Sequence, residues 1–155
     1  MSVSGELREL YQDLILDHTR KPRNFHDLPQ ANRRAEGHNP LCGDRISLTL
    51  DVAGDTIREA AFQGSGCAIS VASASMLTEA VTGKSVEEVR RLIGAFLTQT
   101  AGSPPLAEGP DIELGKLAAF AGVREFPMRV KCATLAWRAL EAALAGGGET
   151  AVRTE

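Results

Sequence analysis

From Arg45 onward, Ile46, Leu48, Leu50 and Val52 alternate with polar or small residues. That period of two is the feature that most restricts the fold. Successive side chains of an extended chain point to opposite faces, so these four line one face of a half-buried strand. "AGD" at 53–55 supplies a turn, and "TIREAAFQG" reads as the returning strand. "RRAEGHN" upstream is expected to add a third strand. The apolar face of such a sheet has to be covered, and the flanking segments carry the helical period that would cover it. "ELRELYQDLILDH" sets Leu7, Leu10, Tyr11, Leu14 and Ile15 on one helical face and ends before Pro22. "AISVASASMLTEAVTG" is rich in small residues and stops at Gly83. "SVEEVRRLIGAFL" opens with Ser85 and Glu88 at capping-box spacing, and Val86, Val89, Ile93, Phe96 and Leu97 form its stripe. "AGSPPLAEGP" is a loop, "DIELGKLAAFAG" a weaker helix, and "KCATLAWRALEAALA" a final helix that three glycines end. The predicted fold class is α+β, a small antiparallel sheet of about three strands packed against several α-helices. Residues 1–146 are expected to form a single domain, and 147–155 a flexible tail.

The 155 residues suffice to bury a core without disulfide staples. A net charge of −3 leaves no broad basic footprint, which argues against a nucleic-acid partner. The apolar runs are too short to span a membrane, and "MSVSGELREL" lacks the basic-then-apolar pattern of a signal peptide. Three cysteines cannot all pair within one chain. A cytoplasmic, reducing setting is therefore expected, where clustered cysteines signal metal binding or catalysis more often than bridges.

Cys42 and Asp44 are two apart, so on a strand they would share the face of Ile46 and Leu48, with Gly43 allowing an unusual turn between them. Cys67 follows "GSG", where strand gives way to helix, and Cys132 is expected at or near the start of the last helix. A helix N-terminus favours thiolate over thiol. Three thiolates and a carboxylate make a set suited to tetrahedral zinc. The thiolates also suit a small iron–sulfur cluster, and three scattered core thiols are the remaining possibility. No CxxC pair decides among them, and spacing leaves the three readings open. Among other candidates, His18 is expected near a helix end as a cation on the dipole, and His26 in a loop. His38 stands four residues before Cys42. Arg129 and Lys131 precede Cys132, where they are read either as solvated charges or as partners of a thiolate. The Ser/Ala run at 70–75 reads as close helix packing, and Trp137 as core.

The wording of four segments adds to this. "LYQDLILDHTRKPRNF", "NPLCGDRISL", "GSGCAISVASASML" and "VKCATLAWRAL" closely resemble the U-type iron–sulfur cluster assembly family, which comprises IscU, SufU and the N-terminal domain of NifU. The resemblance runs from about Tyr11 to Leu144. Lys131 stands where the IscU scaffold branch has a histidine, and the interval before Cys132 is long, so the chain looks like the SufU branch. The resemblance implies a SufE/IscU-like fold, with zinc held by Cys42, Asp44, Cys67 and Cys132. It also implies a sulfurtransferase-like role, accepting persulfide sulfur from a SufS-type cysteine desulfurase that carries the pyridoxal phosphate. Downstream iron–sulfur assembly machinery would receive the sulfur. Cys42 is expected to be the sulfur acceptor, both from the resemblance and because a strand edge beside glycine moves easily. The alternative is an IscU-like scaffold on which a 2Fe–2S cluster is assembled and transferred.

Overall fold

The hairpin around Gly54 organises the molecule. In the computed structural model, which describes residues 5–102, 114–145 and 148–153, β2 (Asp44–Ala53) and β3 (Thr56–Ser65) pair antiparallel. Gly54 turns the chain between them with φ of 63°, a left-handed conformation that glycine adopts without a Cβ penalty. β1 (Arg33–Asn39) pairs antiparallel with the other edge of β2. Asp44, Ile46, Leu48, Leu50 and Val52 are all buried, so the alternation read from the sequence corresponds to one core-facing side.

A fourth strand differs from expectation. β4 (Gly148–Arg153) lies parallel to β1, giving the order β3-β2-β1-β4. Six of the residues read as flexible tail are thus placed in the sheet. The reason is a backbone one: without β4, the outer edge of β1 would present unpaired N–H and C=O groups. "GGGETAVRTE" carries no apolar alternation to announce such a strand.

The helices α2 (Ala68–Val81) and α4 (Pro127–Ala145) cover the buried face, while α1 (Gly5–Arg20) packs on α2 and α3 (Val86–Ala101) on α4. The Ser85/Glu88 capping box opens α3 as predicted. The small residues of α2 allow close approach to α4, where Ser73 Oγ donates to the Ala133 carbonyl at 2.6 Å and accepts from Trp137 Nε1 at 3.1 Å. Trp137 is fully buried and stacks on Phe96 with centroids 4.3 Å apart. The weaker helix forms as a 3₁₀ helix, Gly115–Glu125. Leu117, Phe120 and Val123 are its buried residues, and their spacing of three matches the 3₁₀ period rather than the α period. The loop read at 101–110 falls almost wholly outside the described residues. Among those described, no helix is long and apolar enough to cross a membrane.

Two expectations for α1 change. Leu14 and Ile15 pack on the core, but Leu10 is 64% exposed. His18 is not a solvated helix-end cation; it is only 2% exposed. Its Nδ1 lies 2.7 Å from Ser75 Oγ, which also accepts from the Arg23 amide at 2.8 Å, so the ring joins α1 to α2. Nε2 is 3.5 Å from the Glu79 carboxylate.

Burial holds the His18 pKa below its ordinary 6.5, with Arg23 and Lys116 acting in the same direction and Glu79 and Asp17 opposing. The unfolded chain therefore takes up this proton before the native one does. His18's contribution is fully present above the unfolded value and is lost as the pH falls through 6.5 toward the lower native value. We expect His18→Gln to flatten the loss of thermal stability between pH 7.5 and 5.5. Equal slopes in the two proteins would rule out His18 as its source.

Candidate metal centre

Three elements converge at one end of the sheet. Asn39 and Asp44 are register partners in β1 and β2, and residues 40–43 form the loop that joins them. The edge of a strand is where Cys42 is expected; β2 begins at Asp44, and Cys42 stands just before it in the loop, exposed. The loop turns at Gly43, with φ of 73°. Its amides close on Asn39: the carbonyl accepts from Cys42 N at 3.3 Å and Gly43 N at 2.8 Å, and Oδ1 accepts from Leu41 N at 3.2 Å.

Asp44 is completely buried. Cys67 is the N-cap of α2, and its backbone N–H donates to Asp44 Oδ1 at 2.8 Å. A carboxylate at a helix N-terminus takes up an otherwise orphaned donor and is favoured by the dipole. Gly66 makes room for it, since a Cβ there would lie 2.5 Å from Asp44 Oδ1. The expectation for Cys132 is a place at or near the start of the last helix; α4 begins at Pro127, which places Cys132 in the second turn, 1% exposed. Its side chain is thus aimed by the body of a packed helix rather than by a helix end.

Ligand atoms of Cys42, Asp44 and Cys132 all lie within 4.8 Å of one another, with the Cys42 and Cys132 sulfurs 3.8 Å apart. Cys67 joins on the Asp44 side, its Sγ 3.8 Å from Oδ2. Burial, reinforced by Cys67 and Asp44, pushes the Cys132 thiol well above its ordinary range. A divalent ion bound there would act in the opposite direction and favour the thiolate. Cys67 is not within 4.8 Å of all three, but by donor chemistry the Cys42 and Cys132 sulfurs and the Asp44 carboxylate, with Cys67 adjoining Asp44, fit zinc.

The other candidates lie elsewhere. His26 is exposed and hydrogen-bonded through Nδ1 to the Asp27 carbonyl at 3.0 Å. His38 is opposite Arg45 in the β1–β2 register and is not in the cluster. Arg129 is exposed and Lys131 half-buried. Exposed apolar side chains border the thiols: Leu41 precedes Cys42, and Met128 stands one helical turn before Cys132. Sequence reasoning missed Asn39 and Gly66. Both were in view, in "HNPLCGD" and "GSGC".

The profile of the NifU-like N-terminal domain matches residues 10–133. The chain belongs to this family. It is 42% identical over 145 residues to the zinc-dependent sulfurtransferase SufU of Bacillus subtilis strain 168, covering 94% of this chain and 96% of the relative. It is also 42% identical over 140 residues to the iron–sulfur cluster assembly scaffold protein IscU of Streptococcus pyogenes serotype M1, covering 90% and 86%. Among solved structures, FiSufU of the thermophile Fervidobacterium islandicum AW-1 superposes with a TM-score of 0.78 at 32% identity, covering 88% of this chain and 98% of that one. The N-terminal NifU-like protein of Brucella abortus shares the fold, with a TM-score of 0.74 at 20% identity over 88% of this chain and 93% of that one. The sulfurtransferase and the scaffold protein are equally similar in identity, so overall similarity to the family does not separate the two activities.

Proposed function

We propose that this chain is a zinc-dependent sulfur-transfer protein of cytoplasmic iron–sulfur cluster assembly, in which Cys42 accepts persulfide sulfur from a cysteine desulfurase. The observation that carries the reading is the asymmetry of the cluster. Cys132 and Asp44 are buried on rigid elements, whereas Cys42, within 3.8 Å of Cys132, is exposed on a loop. Cys42, Asp44, Cys67 and Cys132 would hold the zinc. When bound, zinc supplies positive charge that keeps the sulfurs as thiolates at neutral pH.

The chain's own residues do the rest. Asp44 and the Cys67 amide fix the inner side of the site, and Cys132 is held by α4. The Cys42 thiolate attacks the terminal sulfur of the partner's persulfide. A Cys42–S–SH bond forms, the partner's S–S bond breaks, and the partner cysteine leaves as a thiolate, so charge and atoms balance. Leu41 and Met128 offer apolar surface on which a partner can exclude water from this exchange. Lys131, where scaffold proteins carry histidine, supports transfer over cluster building.

Incubation with a SufS-type desulfurase and cysteine, followed by alkylation and mass spectrometry, tests the assignment. We expect the extra sulfur on Cys42. Sulfur on Cys132 with Cys42 unmodified would overturn it and favour the scaffold reading, as would iron with labile sulfide in place of zinc in anaerobically purified protein.

A further inference from the structure

We infer that Asn39 is a positioning residue for Cys42, setting how readily that thiol leaves the metal centre. The inference rests on the reading of Cys42 as a zinc-held acceptor. Three successive loop amides, of Leu41, Cys42 and Gly43, converge on Asn39, two at its carbonyl and one at its side chain. Any residue at this position would supply the carbonyl contacts. The Oδ1 contact to the amide two residues on is special to Asn, Asp and, more weakly, Ser or Thr.

The other end of the same amide argues that stability is not its purpose. Nδ2 is buried with no hydrogen-bond partner among the described residues, in a residue with no solvent exposure. An unsatisfied buried donor costs at least as much as one ordinary hydrogen bond returns. The side chain is thus close to neutral for folding while it fixes the residue next to Cys42. Asn39 and Asp44 are register partners, directly opposite in an antiparallel pair, so their side chains share one face of the sheet. A single residue thereby ties the movable ligand's loop to the strand position of the immobile carboxylate.

Asn39→Ala in the zinc-loaded full chain tests this, with Asn39→Ser as the conservative variant that keeps an uncharged acceptor. The readout is the iodoacetamide alkylation rate of each cysteine, mapped by mass spectrometry, beside the thermal midpoint. We expect Asn39→Ala to speed alkylation of Cys42 by about five- to tenfold, the effect of one hydrogen bond. Cys67, Cys132 and the midpoint should be nearly unchanged, and Asn39→Ser should stay within about twofold of the parent. Equal Cys42 rates in all three proteins would overturn the inference. So would acceleration of all three cysteines together with a lowered midpoint, which marks a merely structural role. Zinc content of the parent separates the two failures. A zinc-loaded parent with either result overturns the role of Asn39 alone, and a parent without zinc overturns the metal reading and this inference with it.

Discussion

Replacing Cys67 or Cys132 with serine is expected to abolish tight zinc binding and, with it, sulfur uptake from the desulfurase. A serine hydroxyl remains protonated at neutral pH, so each substitution removes a charged donor from a site of four. The loss should exceed the roughly 10–100-fold that follows from removing an outer-shell partner of a metal ligand. Both substitutions are nearly isosteric, and Cys132 lies in the second turn of a packed helix, so the fold should survive. Asp44→Ala should act differently. It also weakens zinc, but it leaves three soft sulfurs and no hard oxygen, a set that favours iron–sulfur clusters. On reconstitution any cluster formed on Asp44→Ala should outlive that on the parent. Zinc per chain after dialysis, and competition with a chromophoric chelator, report the first effect. Stoichiometric zinc retained by both cysteine variants would refute the ligand assignment.

The parts of this site that could be read from the sequence are those that obey a period or a cap. Ile46, Leu48, Leu50 and Val52 declare a strand because burial of one face enforces alternation. Ser85 and Glu88 declare a helix start because two orphan amides need partners. Cys67 was placed correctly at a helix N-terminus for the same local reason. Cys132 lies near the start of α4, as read, but the helix begins at Pro127 rather than at Lys131, a start that proline at the first helical position signals. Where position depends on contacts distant in the chain, local pattern fails. Cys42 is legible as a strand-edge residue because the period-two face runs back toward it, but where the loop closes, at Asn39 and Asp44, depends on pairing with β1. β4 owes its place to backbone pairing with β1, and His18 owes its burial to Ser75, fifty-seven residues away. Neither leaves a mark in its own segment. That Cys42 and Cys132 meet beside Asp44, with Cys67 on its other side, is a property of the packing of α2 and α4 on the sheet, and spacing alone leaves it open.

That packing also sets how far the fold depends on the metal. Chelation of zinc is expected to lower the melting temperature substantially without unfolding the protein at room temperature. The proposed ligands come from three elements: the β1–β2 loop and β2 contribute Cys42 and Asp44, the start of α2 contributes Cys67, and α4 contributes Cys132. Burial first, and then Cys67 and Asp44, raise the pKa of the Cys132 thiol, and a bound cation would act in the opposite direction. Binding to a native site that the unfolded chain lacks is folding energy, equal to about 4 kcal/mol when free zinc is 1,000 times its Kd. For a chain of this size each kcal/mol moves the midpoint by about 2–4 °C, so metal removal should lower it by roughly 8–16 °C. The core does not need the metal to form. Trp137, Phe96, Leu48 and Ile57 are fully buried within one apolar core, where Trp137 stacks on Phe96, so the metal-free protein should keep its secondary structure and a cooperative transition. Cys67→Ser should show the lowered midpoint with zinc present and no further drop on chelation. An unchanged melting curve after verified metal removal would mean that the cluster binds zinc without bracing the fold. The three elements would then already be held by their apolar contacts alone.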